Sequence, residues 1–354
     1  MSADDRRPLF TVRRVALLLA AAGTAFIPAP RWLFERWYSN GFYAIVQPAI
    51  TFTSNLARFA MFDVLCVLVA AGFVVLAARD LFGRSILRAI ARIAVRTAVW
   101  GAALYVFFAL AWGFNYRRER LTERLAFDAS AVTPAAAVRL ASVAADRLNA
   151  LHTGAHSEGW PPIIAIDPSL AGAFDRVTTE LGATVRVVVG RPKPSLLDWY
   201  FRRAGVSGMT DPYFLETLVA SDLLAFERPF VVAHEWSHLA GIADEGEANA
   251  VGWFVCLQSS SANQYSGWLF MFDEAARAIP AADRAAIVSR LGPGPRADLR
   301  AIRERIAASV SPGIAAAGWR VYDSYLKANR VEAGTRSYDE VLRLALGLKA
   351  FQAY

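Results

Sequence analysis

Thr97–Tyr116 is a run of twenty residues without a charge, closed by Trp112, Phe114 and Tyr116, and it narrows the fold before any motif does. About twenty apolar residues in a helix match the bilayer core. Backbone inside that layer has no water to bond, so the run reads as a spanning helix. Two weaker runs precede it. Val64–Ala78, bounded by Asp63 and Arg79, reaches spanning length together with Phe59–Phe62. Val15–Pro30 follows Arg13 and Arg14 and is short for a span; basic, apolar and then small residues give it the look of a signal peptide. Trp32, Phe34, Trp37 and Tyr38 are placed to anchor it at an interface, which favours a retained first span. The expectation is a membrane-anchored, mainly α protein. Residues 1–116 form an anchor of three transmembrane helices, about 15–32, 59–78 and 97–116, and residues 117–354 form a helix-rich outer domain.

Composition agrees with an anchor plus one sizeable domain. Hydrophobic residues make up 55% of the 354, and the mean hydropathy of +0.31 is too apolar for an ordinary soluble enzyme. The net charge of +7 comes almost wholly from arginine, with lysine only at positions 193, 327 and 349. Arginines flank the apolar runs and no basic stripe with interleaved aromatics appears, so the charge reads as membrane topology and not as nucleic-acid binding. Arg79, Arg84, Arg88, Arg92 and Arg96 lie between the second and third runs, against Arg31, Arg36 and Arg58 between the first two. Positive-inside places the 79–96 loop in the cytoplasm and the C-terminal domain outside, in a multi-pass protein of the bacterial cytoplasmic (inner) membrane. Arg117, Arg118, Arg120 and Arg124 pull the other way. Cys66 and Cys256 are too far apart and too apolar in setting for a disulfide framework or a cysteine zinc site.

The chemistry concentrates in His234-Glu235-Trp236-Ser237-His238, followed by Leu239-Ala240-Gly241-Ile242-Ala243-Asp244-Glu245-Gly246-Glu247-Ala248-Asn249. On a helix, His234 and His238 share one face and can grip one Zn²⁺. Glu235 stands beside them, placed to deprotonate a zinc-activated water and not to ligate. A third donor must come from the carboxylates that follow. Glu245 has Asn249 one turn further on its own face, which gives a ligand and a hydrogen-bonding partner for a ligating histidine. Glu247 lies roughly 200° around the helix from Glu245, at about 100° per residue. Asp244 completes H-E-x-x-H-x-x-G-x-x-D, with Gly241 supplying a turn. Glu245 is the expected ligand, with Asp244 and Glu247 as alternatives.

The remaining segments read more simply. Thr133-Pro134 opens a helix to about Leu151. His152 and His156 have ligand spacing, yet Gly154 and Ser157-Glu-Gly-Trp-Pro-Pro162 mark a loop, which does not hold that spacing on one face. A helix over 168–181, a β-branched strand over 184–189 and a helix over 195–204 follow. Tyr213–Phe226 reads as a strand or a helix; as a strand it is either an edge along which a peptide extends or a core strand. Helices are expected over 245–262, 264–278, 281–291, 296–310, 313–329 and 338–352.

Several segments together resemble a family of uncharacterised bacterial membrane proteins, a domain of unknown function with a zincin-like H-E-x-x-H…E-x-E-A-N metallopeptidase domain. They are Trp112-Gly-Phe-Asn-Tyr116, Gly205-Val-Ser-Gly208, His234–Gly241, Asp244–Asn249, Tyr322-Asp-Ser-Tyr-Leu-Lys-Ala328 and Ser337-Tyr338. The resemblance implies a zincin-like α+β domain and no particular substrate. The second helix also resembles that of gluzincins, in which a ligand glutamate precedes an Asp or Asn by four residues, as Glu245 precedes Asn249. The reading that follows is a membrane-bound zinc peptidase with one Zn²⁺ per chain, Glu235 as general base and a peptide or protein substrate. Tyr322, Tyr325 and Tyr338 are candidate oxyanion donors, each equally suited to packing. The competing readings are a non-catalytic zinc-site sensor or scaffold of the cell envelope, and a membrane assembly factor without zinc.

Overall fold

The computed structural model describes residues 9–26, 28–82, 86–329 and 340–351. The described chain is mainly helical, with one small sheet. Helix α1 (Val12–Phe26) has 15 residues, about 22 Å at 1.5 Å per residue and so shorter than the bilayer core. It is followed, at a bend of 117°, by α2 (Arg31–Leu56). The expected first span over 15–32 is therefore not one straight helix. Among the described residues two helices are long and apolar enough to cross a membrane, α3 (Met61–Leu81) and α4 (Ile86–Ala111), and a third only if the bent pair counts as one span. The arginine-rich stretch before the third run is largely the start of α4, not a loop. Arg88, Arg92 and Arg96 fall at helical spacing there, and Arg96 pairs with Asp80 of α3.

Hydropathy leaves α2 unread, because its polarity is reversed. Glu35, Ser39, Tyr43, Gln47, Thr51 and Ser54 recur every three or four residues and are buried against the rest of the chain. Ile45, Phe52 and Leu56 point outward. A polar stripe inside and an apolar face outside reverses the order usual for a helix packed on a core in water. The inward stripe has defined partners. Gln47 donates to the Val188 carbonyl at 2.7 Å and accepts from Val188 N–H at 3.1 Å, while Asn55 bonds Val189 and Arg191 in the same way. Those carboxamides satisfy the backbone that a neighbouring strand would otherwise take. The 184–189 run accordingly stays outside the sheet, contrary to its β-branched composition.

The sheet has the order β1-β3-β2, with β1 (Pro192–Lys193) parallel and β2 (Gly208–Asp211) antiparallel to the central β3 (Glu216–Val219). Strand β3 takes only four residues, in the first half of the expected 213–226 element, and is the central strand, so its core reading holds and β2 is an edge. Glu216 of β3 accepts the Met61 and Phe62 N–H groups at 3.0 Å each, capping the start of α3, and is paired with the buried Lys193 at 2.6 Å. After short helical turns that include Leu121–Arg124, the longer helices are α5 (Pro134–Glu158), α6 (Pro168–Glu180), α7 (Asp198–Ala204), α8 (Arg228–Leu239) and α9 (Glu245–Leu257). They continue with α10 (Ser261–Ala278), α11 (Ala281–Arg290), α12 (Pro293–Ser309), α13 (Pro312–Ala328) and α14 (Val341–Gly347). Helix α5 runs two turns past the expected end at Leu151. Gly154 sits inside it with open space around it, and the stop is Gly159, at φ +73°, before Trp160-Pro161. A single helical glycine costs about 1 kcal/mol and does not end a helix that is otherwise well packed.

Candidate metal centre

Pro229 opens α8 in its first turn, where an N–H would have no partner. His234 and His238 then lie one turn apart, and their Nε2 atoms approach to 3.2 Å. Glu245, the first residue of α9, brings Oε2 to 3.3 Å from His234 Nε2 and 3.5 Å from His238 Nε2. The turn between the helices makes this possible. Gly241 has φ +77°, and a Cβ there would lie 2.8 Å from Asn115 Oδ1, so both conformation and space require glycine. Gly252 lets α9 lie close against α8, since a Cβ on it would meet the His234 backbone nitrogen at 2.9 Å.

His238 Nδ1 lies 2.7 Å from the Ile242 carbonyl oxygen, which can only accept. Nδ1 thus carries the proton, and Nε2 turns its lone pair into the cluster. Glu245 Oε2 and His234 Nδ1 are buried without a hydrogen-bond partner. Lone pairs of two imidazoles and a carboxylate facing one another in a buried space are stable around a proton or a cation. Burial disfavours a charged His238, yet the Glu245 carboxylate outweighs it and pushes the pKa up to about 9. Burial likewise works against a charged Glu245, but the His238 and His234 rings hold its carboxyl well below the usual range. A tetrahedral ion with bonds of roughly 2.0–2.1 Å keeps its donors about 3.3 Å apart. The observed 3.2, 3.3 and 3.5 Å fit that spacing. Among the described residues this group has three donors, which leaves a tetrahedral ion one open position.

Glu235 faces the sheet's edge strand. The Thr210 hydroxyl of β2 lies 2.9 Å from Glu235 Oε2 and 2.8 Å from the Glu235 carbonyl oxygen. Gly208, also on β2, makes room for the carboxylate, because a Cβ there would lie 2.7 Å from Oε1. Burial is the largest influence on Glu235 and raises its pKa; Glu245 adds to this and the two histidines oppose it.

The other expected residues fall elsewhere. Asp244 caps α9, accepting Glu247 N–H at 3.2 Å, and pairs with Arg120 at 3.3 Å. Glu247 is buried on the far side, accepts Leu121 N–H at 2.8 Å, and has its pKa pushed up to about 7 by burial and by Asp244. Asn249 lies buried one turn beyond Glu245 but bonds neither imidazole. The Ile242 carbonyl has the role expected of it, because the tight turn at Gly241 brings that carbonyl closer. The Tyr322 hydroxyl donates to Glu245 Oε1. Tyr325 packs against Phe108 and Tyr116, and Tyr338 lies outside the described residues. Cys256 is buried core.

The roles of five residues are not visible in the sequence. Gly208 lies in one of the segments that carry the family resemblance, but neither it nor Thr210 signals contact with Glu235, since only pairing of β2 with β3 brings them to α8. Trp112, Tyr43 and Arg118 bond the His238, Leu239 and Ala240 carbonyls at 2.8, 2.8 and 2.9 Å. Terminal carbonyls of a helix lack partners within it. Side chains from either side of Tyr116 therefore fix the end of α8, and Trp112, read from the sequence as closing the third apolar run, does so from just past α4.

These features define a mainly helical protein with two helices of spanning length and apolarity and a His-His-Glu cluster that Trp112, just past the second of them, ties to it. Residues 38–346 match the family described as a protein of unknown function (DUF3810), and the chain belongs to that family. No curated protein and no solved structure matches the chain.

Proposed function

We propose that this protein is a membrane-bound zinc peptidase whose zincin-like domain, from residue 117 onward, works outside the bacterial cytoplasmic membrane. His234, His238 and Glu245 are the metal's protein donors, and Glu235 is the general base. The observation that carries the reading is a three-donor group at tetrahedral spacing with a buried carboxylate on the same helix. Zinc, when bound, supplies Lewis acidity toward a water and toward the scissile carbonyl. Glu235, its pKa raised by burial, holds a proton more readily than an exposed glutamate. That suits a group that takes a proton from water and returns it to the leaving amine. Thr210 and Gly208 fix the carboxylate's position. Tyr322 is the candidate donor to the oxyanion, because its hydroxyl already lies at Glu245.

The arginine distribution supports the outward placement of this domain. Trp112 ties α8 to the end of α4, so the substrate we infer is a peptide or protein segment presented at the membrane surface. A non-catalytic zinc sensor or scaffold is the second reading. Structural zinc sites close with four protein ligands, whereas three donors and a buried neighbouring glutamate favour the enzyme. The test compares peptides released outside the membrane by cells carrying the wild type and Glu235→Gln. Fragments present in the first and missing from the second are expected; identical sets would refute the peptidase.

A further inference from the structure

The plan of two histidines and a carboxylate recurs in a second place. His152 and His156 lie one turn apart on α5, with ring centroids 4.4 Å apart. Both Nε2 atoms turn to a single oxygen of α12, Asp298 Oδ2, at 3.5 Å from His152 and 2.8 Å from His156. The three donor atoms lie within 4.8 Å of one another.

We propose that His152, His156 and Asp298 form a second site for a divalent transition metal, zinc by ligand type, which pins α5 to α12. Imidazole with carboxylate is a donor set suited to zinc and its neighbours. Asp298 is buried, and Tyr265 donates to the same Oδ2 at 2.6 Å. Such a bond fixes a carboxylate the way outer partners fix metal ligands. Gly294, in the first turn of α12, leaves room for the His152 ring, since a Cβ there would fall 2.4 Å from its Cε1. A His156–Asp298 hydrogen bond accounts for one ring. It does not account for a second imidazole brought to the same oxygen. His152 is half-buried and His156 exposed, so an ion reaches the site from solvent. Thr153 and Ser157 follow the two histidines, so neither has the adjacent carboxylate that follows His234, and the role is structural.

The site is independent of the peptidase reading, and the experiment keeps the two apart. Full-length protein in detergent is stripped with a chelator, equilibrated with buffered Zn²⁺, and its metal content measured. In a His234→Ala/His238→Ala background about one zinc per chain should remain, and adding His152→Ala/His156→Ala should remove it. Asp298→Asn keeps the side chain's shape and should also abolish that binding. In the otherwise wild-type chain, His152→Ala/His156→Ala should lower zinc by about one per chain. Zinc content unchanged by these substitutions, or no zinc in the first background, overturns the proposal and leaves a Tyr265–Asp298–His156 hydrogen-bond network.

Discussion

His234 and His238 on α8, and His152 and His156 on α5, each stand one turn apart and meet a carboxylate from another helix. Side-chain exposure separates them: 12% and 9% for the α8 pair, 26% and 36% for the α5 pair. The α8 pair has Glu235 between its histidines, buried and held by Thr210, where the α5 pair has Thr153. Two imidazoles and a carboxylate are thus common to both clusters, and the buried proton acceptor belongs to one. On this account hydrolysis follows Glu235, while metal binding follows the donors.

The largest effect expected is on rate. Glu235→Gln should lower hydrolysis by about 10²–10⁴-fold, the usual contribution of a general base, with zinc content unchanged. Loss of zinc on metal analysis of that variant would make Glu235 a ligand and erase the contrast between the clusters. Gly208→Ala comes next. Its Cβ would push on Glu235 Oε1, and a misplacement of that order costs about 10²-fold in rate. Zinc binding at both clusters should survive, and full activity would show that the carboxylate's position is not critical.

A smaller effect separates Glu247 from its neighbour Glu245. Glu247 titrates at about 7 in the fold against an ordinary 4.5, chiefly through burial. The fold therefore favours its protonated form. That contribution is fully present below about 4.5 and is lost as pH rises through about 7. Glu247→Gln should flatten the fall of the unfolding midpoint between pH 5 and pH 8 without changing zinc content. An unchanged slope would contradict the assignment. The smallest expected effect is at Gly154, which lies between His152 and His156. In a helix with open space around it, Gly154→Ala should stabilise by about 0.5–1 kcal/mol. No gain in a denaturation curve would favour the loop reading.

What was legible in the sequence follows from how local each signal is. The i, i+4 histidines and the rotation that separates Glu245 from Glu247 are properties of one helix and one turn, and composition also points to α3 and α4. Helix α2 is not legible by apolarity because its polar stripe faces inward, which interrupts the run where Gln47 and Asn55 serve a distant backbone. The α5 histidines read as part of a loop because Gly154 looks like a breaker, although the stop is Gly159, before Trp160 and Pro161. Thr210 and Gly208 reach Glu235 only through strand pairing, which no window of sequence displays.

The central claim is that Glu245 completes a metal centre with His234 and His238. Zinc content measured in a His152→Ala/His156→Ala background, with and without Glu245→Ala, tests it most directly. With Glu245 intact, about one zinc per chain should survive dialysis against buffered metal, and with Glu245→Ala it should be lost. Zinc retained without Glu245, and lost instead in Asp244→Ala, would contradict the account.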